Sequence, residues 1–168
     1  KIPRQRRRIL NPVKKKAALE LVNKFVEHGW LRRARADEGV QYAAPTHPVL
    51  KPDGRYRLTW DFRVVNQYLE EEWYPMTTPL KDMQSKLKGC RKFGKIDLTK
   101  AFWQLGVDEE SGRLCAVVVD DEMFLPTRLA QGLSVSAQIC QRVITGILRG
   151  DYGDDEDNLL ESDSGVLI

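Results

Sequence analysis

The chain has 168 residues and a mass of 19.3 kDa, enough for one sizeable core or a core with a smaller lobe. Its apolar share of 42% and charged share of 30% are those of a globular protein, and no run of about 18 apolar residues exists to cross a membrane. The net charge of +3 conceals a polarity: residues 1–35 hold twelve Lys/Arg against two acidic residues, whereas residues 151–163 hold seven Asp/Glu and no base.

The basic start lacks the apolar stretch of a secretory signal. It fits a phosphate contact, which gains from counterion release, and equally a solvated arm. The acidic end would repel nucleic acid and is most simply a solvated loop. Cys90, Cys115 and Cys140 are odd in number and widely spaced. They are expected as reduced thiols in an intracellular protein, cytoplasmic or nuclear, not as a disulfide framework or zinc site.

In chain order, residues 1–11 are a basic lead-in. Asn11-Pro12 then opens a helix, Asn as N-cap and Pro at the first helical position. Val13, Ala17, Leu21, Val22, Phe25 and Val26 recur at helical spacing, Gly29 is a natural stop, and Trp30-Leu31 follows as an anchor. Val40 to Leu50 reads as extended. Pro52-Asp53-Gly54 is a turn, because Pro presets φ and Gly supplies φ > 0. Leu58, Trp60 and Phe62 then alternate with polar residues as a half-buried strand, completing a hairpin.

Thr78-Pro79 starts a second helix with Leu80, Met83 and Leu87, ended by Gly89. Phe93 to Asp97 is the next strand, followed by a short helix. Arg113 to Val119 and Met123 to Leu129 flank Asp120-Asp121-Glu122 as a further hairpin. Val135 to Arg149 forms a third helix with Cys140, Val143, Ile144, Ile147 and Leu148 on its apolar face, stopped by Gly150. Residues 151–164 are the acidic loop, and 165–168 look like the start of a strand.

Three blocks carry chemistry. The first is Lys51-Pro52-Asp53-Gly54-Arg55-Tyr56-Arg57-Leu58-Thr59-Trp60-Asp61-Phe62-Arg63-Val64-Val65-Asn66. The second, Phe93-Gly94-Lys95-Ile96-Asp97-Leu98-Thr99-Lys100-Ala101-Phe102-Trp103-Gln104, runs an apolar strand into a single carboxylate with an aromatic five residues on. The third is Leu129-Ala130-Gln131-Gly132-Leu133-Ser134-Val135-Ser136-Ala137-Gln138. An Asp after an apolar strand is common, and alone it could simply cap the helix that follows. Likewise an aromatic in an amphipathic stretch is usually core, and Arg63 beside Asp61 reads as a structural ion pair.

Together and in this order, the blocks resemble the fingers and palm of reverse transcriptases, with gypsy-type LTR retrotransposons and retroviruses the nearest match. The resemblance covers about residues 12–150. It implies an α/β (α+β) fold of the polymerase fingers–palm type: an antiparallel sheet backed by helices, the palm incomplete at the C-terminus. Residues 12–92 would be the fingers-like region with the palm-entry helix, and residues 93–150 the partial palm.

The implied chemistry is template-directed DNA synthesis from deoxynucleoside triphosphates by two metal ions about 3.5–4 Å apart. The ions would be Mg²⁺, with Mn²⁺ as the alternative. The implied metal ligands are Asp97, also the catalytic residue, and the backbone carbonyl of Leu98. Lys51 and Arg57 would grip the triphosphate, the planar guanidinium bonding two oxygens at once. Lys100, Ala101 and Phe102 complete the nucleotide contacts. Phe102 falls where the family excludes a sugar 2′-hydroxyl, and a flat apolar ring offers that hydroxyl neither a hydrogen bond nor room.

Gln131-Gly132 is expected to open the third helix, whose free N–H groups would suit a phosphate or sugar oxygen. The family's usual Pro several residues later is Ala137 here.

The family's remaining aspartates sit in a Tyr-x-Asp-Asp hairpin between two apolar strands. Tyr152-Gly153-Asp154-Asp155 spells that motif, but Leu148-Arg149-Gly150-Asp151 before it and Glu156-Asp157-Asn158 after it cannot form buried strands. It is therefore read as a decoy, with Asp154 and Asp155 kept as the alternative metal ligands. Gly165-Val166-Leu167-Ile168 looks like the first half of the missing strand. The implied partners are an RNA template, a DNA primer, deoxynucleotides and the rest of a polyprotein or a second chain completing the palm, with no membrane. The chain by itself is expected to be inactive. The competing expectation is a catalytically silent, reverse-transcriptase-like module that binds nucleic acid or acts as a scaffold.

Overall fold

The computed structural model describes residues 2, 3, 5, 6, 8–70, 74, 84, 85, 87–92, 94 and 97–149. Its sheet has five strands, β1 (Leu31–Arg33), β2 (Ala44–Leu50), β3 (Tyr56–Trp60), β4 (Val117–Val119) and β5 (Glu122–Pro126), in the spatial order β1-β5-β4-β2-β3. All neighbours are antiparallel except β2 and β4, which run parallel through Ala44↔Val117 and Pro45↔Val118. The sheet is thus mixed. β4 is its centre, and its three valines are buried, as expected for a strand enclosed by neighbours and covered on its faces.

Helix α1 (Pro12–Glu27) starts as its sequence dictates: the Asn11 side chain accepts from the Lys14 N–H at 2.8 Å, and Gly29 follows the C-cap His28. Its fully buried residues are Ala18 and Val22, and Leu21, Phe25 and Val26 pack against the same core as expected, while Val13 is exposed. The first turn lies outside the helix–sheet contact.

The β2–β3 hairpin also forms as expected. Its register runs from Thr46↔Trp60 to Leu50↔Tyr56, and Gly54 turns it with φ +77°. Leu58, Trp60 and Phe62 all point into the core.

The second hairpin, β4–β5, turns through Asp120-Asp121. Arg113 and Leu114 do not extend its first strand; they end helix α2 (Glu109–Leu114). Asp108 caps that helix, accepting from the Ser111 N–H at 2.8 Å and the Ser111 hydroxyl at 2.8 Å. A capping Asp followed by Glu109 and Glu110 is a strong helix start that outweighs the strand-like run behind it.

Helix α3 (Ser136–Arg149) buries Cys140, with Val143 and Ile144 half-buried. Ile147 and Leu148, expected on the same apolar face, are exposed because the last turn runs past the described core.

Of the second helix expected from Thr78-Pro79, Gln84, Ser85 and Leu87 are helical and Lys88-Gly89 form a turn, with Gly89 at φ +85° as the expected stop; residues 78–83 and 86 lie outside the described residues. So do Phe93, Lys95 and Ile96 of the expected strand, while Gly94 and Asp97 are not in a strand. Gly150, Tyr152 to Asp155 and 165–168 also lie outside them. Among the described residues no helix is long and apolar enough to cross a membrane.

Candidate functional site

Block one supplies a projecting hairpin. Arg57 pairs with Val49 across the strands and faces away from Leu58 and Trp60, so the pleat that buries those two exposes it. Lys51 sits at the turn, its N–H donating to the Arg55 carbonyl at 2.8 Å. Arg55 is held by Asp53 through two bonds of 2.7 and 2.9 Å. Lys51 and Arg57 are exposed and form no ion pair among the described residues, leaving two cations able to meet an anionic ligand.

Asp61, just past β3, is bracketed. Arg63 reaches its carboxylate at 2.7 Å on both oxygens, and Arg8 of the N-terminal arm reaches it at 3.0 Å. The Arg63 hydrogen bonds hold the Asp61 carboxyl far below the usual range, against its partial burial, with Arg8 adding to the effect. The structural ion pair is as expected. The second arginine was not, and it ties part of the basic arm to the hairpin. Tyr42, buried beside it, donates to Gln5 Oε1 at 2.9 Å, and burial pushes its hydroxyl up to about 12.

Block two forms a four-residue 3-10 turn, Ala101–Gln104, preceded by Lys100 with φ +54°. Gln104 Nε2 donates back to the Thr99 carbonyl at 2.8 Å. Trp103 is buried among Phe25, Trp30 and Trp60, with ring centroids 5.1, 5.3 and 5.7 Å away. Such pairs contribute about 0.5–1.5 kcal/mol each beyond their buried area. Phe102 is half-buried and packs on the same core. Asp97 and Leu98, ahead of the turn, are exposed.

The chain after the turn is pinned: the Leu129 N–H donates to the Leu105 carbonyl at 2.9 Å and the Val107 N–H to the Thr127 carbonyl at 3.1 Å. Blocks two and three therefore lie side by side.

Block three departs from expectation. Gln131-Gly132 does not open the helix; α3 begins at Ser136, and Gln131-Gly132 occupy an exposed turn before it. The cause is a clamp from block one. Asn66 Nδ2 donates to the Gly132 carbonyl at 3.0 Å, and Asn66 Oδ1 accepts from the Ser134 N–H at 3.1 Å. Gly132 has φ +103°, and an added Cβ would stand 3.4 Å from the Phe62 ring. The phosphate argument from helix N–H groups thus does not apply to this pair. What remains is an exposed backbone held against the hairpin. An open cavity of about 290 Å³ lies there, lined by Arg8, His47, Thr59, Trp60, Asp61, Phe62, Arg63, Asn66 and Gly132.

Sequence reasoning missed the contacts of Asn66 and Arg8, while Trp30 packs as the anchor it was expected to be. Asn66 stands in the quoted block, but its partners are 66 and 68 residues away, and no local signal announces such a contact.

The family model described as "Reverse transcriptase (RNA-dependent DNA polymerase)" matches residues 49–153, more than half of the chain and all three blocks. The chain belongs to the reverse transcriptase family. The retrovirus-related Pol polyprotein from transposon 297 of Drosophila melanogaster is 30% identical over 133 residues, covering 76% of this chain and 12% of the relative. The Pro-Pol polyprotein of Simian foamy virus type 1 is 25% identical over 144 residues, covering 83% and 12%. A solved foamy viral protease–reverse transcriptase in complex with double-stranded DNA matches with a TM-score of 0.64 at 23% identity, covering 89% of this chain and 25% of that one.

The fold is thus that of the fingers–palm portion of a retroelement reverse transcriptase. This reverse transcriptase chain spans about 12% of the length of these polyprotein relatives.

Among its described residues no three His, Cys, Asp or Glu side chains gather as a metal site. Asp97 is a single carboxylate, and one carboxylate does not fill a two-ion set. The described residues do not by themselves fit two ions.

Proposed function

We propose that this chain supplies the fingers and first part of the palm for RNA-directed DNA synthesis from deoxynucleoside triphosphates. In this proposal Asp97, with the Leu98 carbonyl, is the first ligand of the Mg²⁺ ions that a complete palm holds. Lys51 and Arg57 take the triphosphate, Lys100 and Ala101 line its approach, and Phe102 bars a 2′-hydroxyl. Gln131 and Gly132 offer backbone to the nucleotide. The partners are an RNA template and DNA primer, within a longer polyprotein that provides the remaining carboxylates.

The observation that carries this is the layout of block two. An exposed carboxylate leads directly into a short turn whose Trp103 is locked in the core and whose Phe102 is only half-buried. A rigid turn beside a solvent-facing acid is what positioning a sugar next to a metal requires.

The test is primer extension on an RNA template with Mg²⁺ and deoxynucleotides. It uses this chain, a longer polypeptide carrying it, and the Asp97→Ala and Asp154→Ala variants. The expectation is no extension by the isolated chain, and extension by the longer protein that Asp97→Ala abolishes and Asp154→Ala spares. Extension by the isolated chain, lost in both variants, would make Tyr152 to Asp155 the working hairpin. A longer protein that binds template–primer yet never extends it would be a silent binding module.

A further inference from the structure

We propose that Trp30 is a positioning residue for the sugar-discriminating turn, acting through Trp103 and Lys100; this rests on the polymerase function proposed above. Trp30 lies between α1 and β1, outside the segment that matches the family model. Its backbone is fixed at both ends, the N–H donating to the Phe25 carbonyl at 2.9 Å and the carbonyl accepting from the Thr127 N–H at 3.1 Å. The indole stacks on Trp103 with centroids 5.3 Å apart and planes 16° from parallel. The Lys100 ammonium stands 4.4 Å from the Trp30 ring centroid, a cation–π contact.

These two contacts grip both sides of the Phe102 position. A four-residue 3-10 turn has too few bonds to hold its own shape, and its successive side chains project about 120° apart. Fixing Trp103 inward therefore fixes the direction in which Phe102 points. On the other side, Lys100 enters the turn with φ +54°, a conformation that a non-glycine residue keeps only where its surroundings over-determine it. Here the surroundings are the Trp30 ring under its ammonium and the Trp103 N–H, which donates to the Lys100 carbonyl at 2.9 Å. The Trp30 side chain contacts both Lys100 and Trp103. Phe25 and His28 pack on Trp30 in turn, with centroids 5.3 and 4.7 Å away, so α1 braces the assembly.

The experiment compares Trp30→Leu, which stays apolar but has no ring, and Trp30→Phe, which keeps a ring, in the longest polypeptide that carries this chain and extends a primer. Trp30→Leu is expected to raise the deoxynucleotide KM and to lower deoxy-over-ribonucleotide selectivity by about tenfold each, the scale of a sub-ångström misplacement. It should leave kcat for deoxynucleotides within about threefold, and Trp30→Phe should recover most of the selectivity. In this chain itself, ¹³C-dimethylated Lys100 should give a ring-current-shifted signal that Trp30→Leu returns to the unshifted position.

Selectivity and KM unchanged in Trp30→Leu would overturn the proposal, as would a Trp30→Phe variant no better than Trp30→Leu. If no carrier of the chain extends a primer, the functional reading falls and takes this inference with it. Extension with intact discrimination in Trp30→Leu removes this inference alone.

Discussion

A Cβ built on Gly112 would stand 2.6 Å from the Pro126 carbonyl oxygen. That distance is closer than any stable contact, so helix α2 lies on β5 only because residue 112 lacks a side chain. Since Pro126 leads directly into the segment that pairs with Leu105 and Val107, this close approach also bears on the proposed site. Gly112→Ala should destabilise the fold by about 1–3 kcal/mol, the usual cost of overpacking, read as a lowered denaturant midpoint. An unchanged midpoint would mean that α2 can lift off β5 without loss.

Acid should weaken the fold through two carboxylates. Glu38 is held down to about 2 by its hydrogen bond to Arg32, with the Arg35 N–H adding to it at 2.7 Å. Asp61 is held low by Arg63 and Arg8. Both folded-state values are depressed, so the stabilisation is fully present above the ordinary carboxylate range and is lost as pH falls through the folded values. For Glu38 the window runs from 4.5 down to about 2. Denaturation midpoints measured between pH 6 and about pH 2 should fall, and Glu38→Gln should flatten that fall. An equal slope in the variant would show that the Arg32 pair does not differ between the folded and unfolded states.

The three thiols should separate by reactivity. Cys90 is exposed, while Cys115 and Cys140 are buried, and burial pushes the Cys115 thiol up to about 12. Since the thiolate is the nucleophile, a thiol reagent should modify Cys90 at once and the other two only on unfolding. Rapid labelling of Cys115 in native protein would contradict its burial in the core.

Arg57 carries a prediction about substrate. It is exposed and lies on the face of β3 opposite the core residues, so replacing it should leave stability within about 0.5 kcal/mol. In an extending polypeptide, Arg57→Lys should raise the deoxynucleotide KM by roughly tenfold, because a point charge cannot replace a two-oxygen grip. An unaffected KM would remove Arg57 from the proposed triphosphate site.

Phe102→Val should let the same polypeptide incorporate ribonucleotides by opening space beside the sugar. Incorporation measured with matched deoxy- and ribonucleotides checks this, and unchanged discrimination would place the barrier elsewhere.

The sequence alone determined the local elements: the Asn11–Pro12 helix start, the Pro52-Asp53-Gly54 hairpin, the Asp61–Arg63 pair and the family blocks. In each, the deciding interactions span a few residues, so composition and period encode them directly. Where two local signals competed, the stronger cap prevailed, as when Asp108 drew Arg113 and Leu114 into a helix. Tertiary structure alone decided that β2 runs parallel to β4, that Gln131-Gly132 is a clamped turn and not a helix start, and that Trp30 reaches Lys100 and Trp103. Those outcomes depend on groups some 65 to 75 residues apart meeting in space. Their energy comes from burial and from satisfying hydrogen bonds across elements, and neither is written in the neighbourhood of any one residue.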